Sequence, residues 1–327
     1  MIYRKFANTQ ELLPSIGLGC MGMNHAYGQP DDQESLATLN EAIDLGITFW
    51  DTADMYADGK NEELVAKVLK PNRDKIFIAS KFGFRVNANG QRTFDGSPKY
   101  MKAAIVGSLK RLQVEVIDLY YAHRVDANVP VEEMVGALAD LVREGKIRYI
   151  GLSEASSNSI RRACKVHPVA ALQSEYSVLT REVEKDILPT CKELNITFVP
   201  FSPLSRGLVT NSLDVLTLKE SDFRKTIPRY QPEQVAKNKK LIEEFAGMAA
   251  EKNCTPAQLA LAWILAQGEN IIPIPGTKKR VYLRENAKAV HVSLTREDLI
   301  RIEALSVKYP DTGGRYDEAN EKFIDRS

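Results

Sequence analysis

Eight short apolar runs, each followed by a helical pattern, limit what this 327-residue chain can fold into. The runs are Ser15–Gly19, Ile47–Ala53, Ile76–Lys81, Ile117–His123, Tyr149–Ser153, Ala170–Tyr176, Ile196–Ser202 and Ile271–Pro275. They are rich in Ile, Val, Phe, Tyr and Leu and show no clean polar alternation, as expected of strands covered on both faces. The intervening segments carry helix signals. Asp31–Leu45 opens on acidic residues and stops at Gly46; Ser97-Pro98 and Thr255-Pro256 each pair an N-cap with a first-turn proline. Glu182–Leu194 is expected to be one helix kinked at Pro189. Strand–helix alternation of this kind builds a parallel sheet, and eight repeats match the (β/α)8 count. Periodicity alone leaves a closed barrel and an open doubly wound sheet both standing.

No Pro-, Gly- or Ser-rich linker divides the chain and no repeat is visible, so residues 1–327 read as one domain. The long connection Leu204–Pro232 is expected to carry function or disorder. The Gly-rich segment 310–327 is expected to be a loose tail. Lys and Arg number 44 against 43 Asp and Glu, which argues against a dedicated nucleic-acid binder. No apolar run reaches the roughly 18 residues of a membrane span, and the start of the chain turns polar too soon for a signal peptide. Cys20, Cys164, Cys191 and Cys254 are scattered, as are the four histidines, so no disulfide framework or metal site is expected. Reduced thiols in a cytoplasmic protein are the expectation.

Gly17-Leu18-Gly19-Cys20-Met21-Gly22 fits the Gly-x-Gly-x-x-Gly pattern of a Rossmann dinucleotide site. That site needs a helix opening inside the motif. The residues that follow, Met23–Pro30, are polar, contain another glycine and end in proline, so a turn is expected instead.

The polar residues at the strand ends are more informative. Asp51 ends the second run with Tyr56 five residues on; Lys81 ends the third, His123 the fourth and Ser153 the fifth; Gln173 lies in the sixth and Phe201-Ser202 closes the seventh. Singly, an Asp is a turn residue, a Tyr packs and a His is a core residue. A lysine at the end of a buried strand is different, because it needs an anionic partner or a shifted pKa. In a barrel these ends meet on one face. A phenol beside an ammonium is an acid for a carbonyl oxygen, with Lys81 expected to lower the Tyr56 pKa, Asp51 to hold Lys81, and His123 to orient the carbonyl. With no Gly-x-Ser-x-Gly elbow and no Cys–His signature, a cofactor has to bring the hard chemistry, and hydride transfer fits.

Eight ordered stretches carry a resemblance. They are Gly-Leu-Gly-Cys-Met-Gly, Phe-Trp-Asp-Thr-Ala-Asp-Met-Tyr, Ile-Ala-Ser-Lys-Phe, Asp-Leu-Tyr-Tyr-Ala-His-Arg, Tyr-Ile-Gly-Leu-Ser, Leu-Gln-Ser-Glu-Tyr-Ser, Pro-Phe-Ser-Pro-Leu-Ser-Arg-Gly and Ile-Pro-Ile-Pro-Gly-Thr-Lys. Together, from about Tyr3 to Leu305, the chain resembles an aldo-keto reductase of the microbial and plant branch that includes pyridoxal-reductase-like and auxin-induced-like members. The resemblance implies a (β/α)8 barrel capped by an N-terminal hairpin at about Arg4–Pro14, and NADPH-dependent reduction of an aldehyde or ketone to an alcohol. It puts the family tetrad on Asp51, Tyr56, Lys81 and His123, with Tyr56 as the acid. It places cofactor contacts at Gly19, Cys20 and Met21 beside Asp51, at Ser153, Gln173 and Phe201 for the nicotinamide, and at Ser202, Pro203, Leu204, Ser205 and Gly207 for the pyrophosphate. Gly276, Thr277, Lys278, Tyr282, Glu285 and Asn286 would meet the 2′-phosphate and adenine, with Lys278 ahead of Arg224 and Arg280 as the cation. Glu154 stands where many members carry Asn, and a carboxylate cannot donate to a carboxamide, so Gln173 is expected to take over that bond. An NADP-binding regulatory protein, resembling potassium-channel β subunits, is the alternative from another class. Leu119, Tyr120, Tyr121, Met21, Met23 and Phe82 suggest an apolar pocket suited to aromatic or polycyclic carbonyls.

Overall fold

The computed structural model describes residues 1–87, 89 and 91–327. Seven parallel strands form one sheet. In chain order they are β3 (Leu18–Gly19), β4 (Phe49–Asp51), β5 (Phe77–Phe82), β8 (Ile117–Ala122), β9 (Ile147–Ser153), β10 (Ala171–Glu175) and β11 (Thr197–Phe201). The eighth predicted strand is not regular, because Pro273 and Pro275 have no N–H to give to a ladder. It still closes the sheet. The amides of Ile272 and Ile274 donate to Phe198 and Pro200 on one side (2.9 and 3.0 Å), and the carbonyls of Pro273 and Pro275 accept from Gly17 and Gly19 on the other (2.9 and 3.2 Å). The two prolines thus present only acceptors to β3, and the fold is a (β/α)8 barrel rather than an open sheet.

Helices α1 (Asp32–Asp44), α2 (Lys60–Leu69), α3 (Pro98–Leu112), α4 (Val131–Arg143), α5 (Ser157–Cys164), α6 (Ile187–Glu193), α7 (Pro232–Glu251), α8 (Pro256–Ala266) and α9 (Arg280–Ala287) surround the barrel, and α9 packs back on α1. A further helix, α10 (Arg296–Lys308), lies against α7. Among the described residues, no helix is long and apolar enough to cross a membrane. The Ser97 and Thr255 caps form as the sequence predicts, the latter as a capping box with Gln258. The expected helix over Glu182–Leu194 is instead split at Asp186, which places Pro189 in the first turn of α6, where a proline ring meets no preceding carbonyl. The glycine-rich motif has no dinucleotide-type helix behind it: Met21–Met23 is a single 3-10 turn and α1 begins at Asp32.

Strand alternation, invisible in hydropathy because both faces are buried, decides which side chains enter the barrel. On β5, Ile78 and Phe82 join the core under the helices, while Phe77 and Ala79 join the core inside the barrel. Lys81 continues the inner row. The same period puts Asp51 above Phe49, His123 above Leu119 and Tyr121, Gln173 above Ala171, and Phe201 above Val199. The lower end of the interior is sealed by the hairpin β1 (Tyr3–Lys5)–β2 (Leu12–Pro14), whose Phe6 packs edge-on to Phe77 and Tyr149. Arg4 anchors that hairpin on the carbonyls of Leu265, Gly268 and Ile271.

Two features at the other end depart from the sequence reading. A second hairpin, β6 (Phe84–Val86)–β7 (Arg92–Phe94), rises after β5; positions 88 and 90 of the 84–97 loop lie outside the described residues. The 310–327 segment is not a loose tail. It crosses the barrel mouth, forms the short helix α11 (Glu318–Glu321), and is held by a two-pronged Arg315–Glu154 ion pair (2.9 and 2.7 Å) and by Phe323 packed edge-on to Phe84. The 204–232 connection folds into four 3-10 turns over a small core of its own, including Leu208, Val215, Ile227 and Tyr230.

The seam where β3 meets the closing segment has no room for side chains. A Cβ on Gly17 would sit 2.8 Å from the Phe49 ring, 2.9 Å from Ile274 and 2.9 Å from the Phe49 carbonyl. Gly17→Ala is therefore expected to cost about 1–3 kcal/mol of stability through overpacking. A urea denaturation midpoint unchanged from wild type would show that the seam is looser than this geometry.

Candidate active site

The inward strand ends open into a cavity of about 1260 Å³. Behind the lining residues Asp51 and Tyr56 lies Lys81, fully buried, with Nζ donating to Asp51 Oδ1 (2.5 Å), to the Thr52 carbonyl (2.8 Å) and to the Tyr56 hydroxyl (3.3 Å). All three directions of the ammonium are thus used. Asp51 Oδ2 accepts from Gln173 Nε2 (2.8 Å). Burial alone disfavours the Lys81 charge, but the Asp51 carboxylate and the Tyr56 oxygen outweigh it and hold the lysine above its ordinary value. Tyr56 departs from the sequence expectation. Burial raises its pKa, and the opposing pull of Lys81 does not reverse that, so the phenol stays protonated and ready to donate. His123 stands edge-on to Tyr56 with ring centroids 6.0 Å apart, and among the described residues its Nδ1 has no partner. Burial, then the charges of Lys81, Arg124 and Arg92, push the imidazole well below its ordinary pKa, so it is neutral.

The rest of the predicted set divides. Met21, Ser153, Gln173, Phe201, Ser202, Pro203, Leu204, Gly207, Gly276 and Thr277 line the cavity, as do Arg224, Lys278, Tyr282, Glu285 and Asn286. Gly19, Cys20 and Ser205 do not. Gly19 packs against Ile274 and Gly276; the Cys20 thiol is buried and points back to the Leu18 carbonyl; and the Ser205 hydroxyl is buried against Ser177. Of the residues expected to make an apolar pocket, only Met21 reaches the cavity: the pleat turns Tyr120 and Phe82 into the outer core and Leu119 and Tyr121 into the inner one, and Met23, at the end of its 3-10 turn, also joins the outer core. The wall around His123 is instead mixed, with Phe84, Phe323 and Tyr316 beside Arg92 and Arg124.

Three cations were candidates at the far end. Arg224 is paired with Asp222 and Arg280 with Glu34. Among the described residues Lys278 has no carboxylate partner, and its ammonium donates to the carbonyls of Tyr27 (2.8 Å) and Gln29 (2.6 Å). Glu154 is buried and faces away from cofactor work: it accepts from Arg315 and from the Glu175 amide (2.9 Å). Gln173 lines the cavity and gives one of its two amide N–H donors to Asp51.

The sequence reading missed several participants. His25 stacks on Tyr56 (centroids 5.7 Å) and accepts from the Ala57 amide, and Arg124 donates to the His123 carbonyl (2.5 Å) and Ser153 (3.3 Å). Arg124 follows a strand-end histidine and could have been flagged as an expected buried charge; His25 lies in an irregular loop and carried no periodic signal.

The strand ends of this barrel gather a buried Asp–Lys pair, a protonated phenol and a neutral imidazole, and comparison with known proteins places the chain in a family. The Aldo/keto reductase family model matches residues 15–307. Probable aldo-keto reductase 1 of Glycine max is 47% identical over 304 residues, covering 92% of this chain and 88% of that protein. Aldo-keto reductase yakc of Schizosaccharomyces pombe, whose name specifies NADP(+), is 44% identical over 325 residues, 95% of each chain. Among solved structures, the glycerol dehydrogenase AKR11B4 of Gluconobacter oxydans superposes with a TM-score of 0.86 at 28% identity, covering 94% of this chain and 95% of that one. An aldo/keto reductase from Klebsiella pneumoniae in complex with NADP and acetate gives 0.72 at 27%, covering 96% and 98%. The chain belongs to the aldo/keto reductase family and is an oxidoreductase.

The neutrality of His123 has a measurable consequence. Its folded pKa lies below the unfolded value of about 6.5, so just below that pH the unfolded chain binds a proton that the folded one refuses, and stability falls with acidification. His123→Gln is expected to lose less stability than wild type between about pH 7.5 and about pH 5.5, by up to ~1.4 kcal/mol per unit in the affected range. Parallel urea curves for the two proteins at both pH values would contradict a buried neutral imidazole.

Proposed function

We propose that this protein is an NADPH-dependent carbonyl reductase in which Tyr56 is the general acid. The observation that carries the proposal is the chain of contacts from Asp51 through Lys81 to the Tyr56 hydroxyl, at the closed end of a cavity large enough for a dinucleotide and a small substrate. Residues suited to hold the cofactor are Phe201 and Ser153 near the tetrad and Lys278 at the far end, where a cation with no carboxylate partner among the described residues fits a 2′-phosphate. The chemistry that NADPH supplies when bound is a hydride for the carbonyl carbon.

The chain's own residues do the rest. Tyr56 and His123 both face the position of the carbonyl oxygen, the first donating a proton and the second a hydrogen bond. As negative charge builds on that oxygen, the phenol's proton moves to it, and the phenolate left behind is stabilised by the Lys81 ammonium at 3.3 Å. Asp51 keeps Lys81 charged and aimed, so no reorganisation is needed during reaction. Burial that raises the Tyr56 pKa before reaction keeps the donor loaded at neutral pH.

Tyr56→Phe keeps the ring and removes the proton. Turnover is expected to fall by about 10²–10⁴ or more, with NADPH affinity within a few fold, as read by absorbance assay and fluorescence titration. Retained turnover would remove Tyr56 as the acid. Lys278→Ala is expected to weaken NADPH about 10–100-fold and NADH far less, as loss of one charge-assisted bond predicts. Equal losses for both nucleotides would remove Lys278 as the reader of the phosphate.

A further inference from the structure

Resting on the reductase reading above, we infer that the preferred substrates are carbonyl compounds that also carry a carboxylate, recognised by Arg92 and Arg124 beside His123. Both guanidinium groups line the cavity. They flank one ring, lying 5.6 Å (Arg92) and 5.5 Å (Arg124) from the centroid of Phe84, which itself packs edge-on to His123 at 4.9 Å.

Neither arginine forms an ion pair among the described residues, although most arginines at the barrel mouth do. Arg92 has one neutral partner, Asn320 Oδ1 (3.0 Å). Arg124 is only 7% exposed and donates to a carbonyl, a serine hydroxyl and the Tyr316 hydroxyl, and among the described residues its Nε has no partner. The acids nearby are engaged elsewhere: Asp317 caps α11 through Asn320, and Asp126 accepts from the amides of Gly96 and Asn128.

Two cations held close together without a counter-ion are costly to bury. Burial, then the charge of Arg124, lowers the pKa of Arg92, and the neutral His123 adds no negative charge. A carboxylate entering with the substrate supplies the missing charge, and the planar fork of a guanidinium matches its two oxygens. Because both arginines lie beside His123, the carboxylate would be fixed while the carbonyl lies toward Tyr56. Arg92 sits on the β6–β7 hairpin and its partner Asn320 on the C-terminal segment, so the Arg315–Glu154 pin helps to position this anion site.

The test compares 4-carboxybenzaldehyde with its methyl ester under NADPH, using wild type and Arg92→Gln, a replacement that leaves the bond to Asn320 possible. Arg92 is preferred to the more buried Arg124, whose loss endangers folding. The inference expects wild type to favour the acid over the ester in kcat/KM by about tenfold or more, mainly through KM, and Arg92→Gln to collapse that ratio. Wild type that reduces the ester as well as the acid, or an Arg92→Gln ratio equal to wild type, overturns the inference and leaves the reductase reading intact. Failure of wild type to reduce either aldehyde, with NADPH bound, overturns the reductase reading and this inference with it.

Discussion

Everything at the mouth of this barrel depends on one ion pair in a place where charges are expensive. Lys81 is fully buried, and the Asp51 carboxylate at 2.5 Å is what lets it remain an ammonium there. Removing one partner from such a pair costs about 3–5 kcal/mol, while replacing both by apolar residues is often tolerated. A pair of this kind is therefore poor evidence of stability and good evidence of use. Its third contact is the Tyr56 hydroxyl, and the proposed reaction uses the stored charge to steady that phenol as it gives up its proton.

The barrel makes that arrangement possible. Side chains alternate across each strand, so the last inward position on successive strands falls on one ring above an apolar plug of Phe49, Phe77, Leu119, Tyr121 and Val199. The plug keeps water from below, and the hairpin carrying Phe6 seals it. From above, the C-terminal segment, the β6–β7 hairpin and the 204–232 connection frame the entrance. In the proposed reaction the rigid strand ends carry the proton chemistry, and the irregular segments that frame the entrance carry the choice of substrate.

Much of this was legible in the sequence. Lys81 at the end of Ile-Phe-Ile-Ala-Ser-Lys-Phe has no structural excuse, and Asp51, Tyr56 and His123 gather around it as the strand count implies. What stayed hidden has physical reasons. Strands buried on both faces show no polar alternation, so Leu119, Tyr121 and Phe82 could not be assigned to a face, and the apolar pocket built from them was misplaced. Pro273 and Pro275 read as part of a strand, yet they close the barrel through acceptors alone. The tail looked loose because its Gly-Gly-Arg-Tyr composition does not reveal that Glu154, 161 residues away, holds Arg315. Glu154 itself looked like a weakened cofactor ligand, whereas it is an anchor. Long-range pairings of this kind leave no local trace.

The most direct test of the central claim is a single-turnover mix of the protein with one equivalent of NADPH carrying deuterium at the transferable position and an excess of an aldehyde. The account predicts that the nicotinamide absorbance is lost and the deuterium reappears on the carbinol carbon of the product alcohol. NADPH that binds tightly, yet keeps its absorbance and its deuterium across a broad panel of carbonyl compounds, would contradict it and leave a nucleotide-binding protein in place of a reductase.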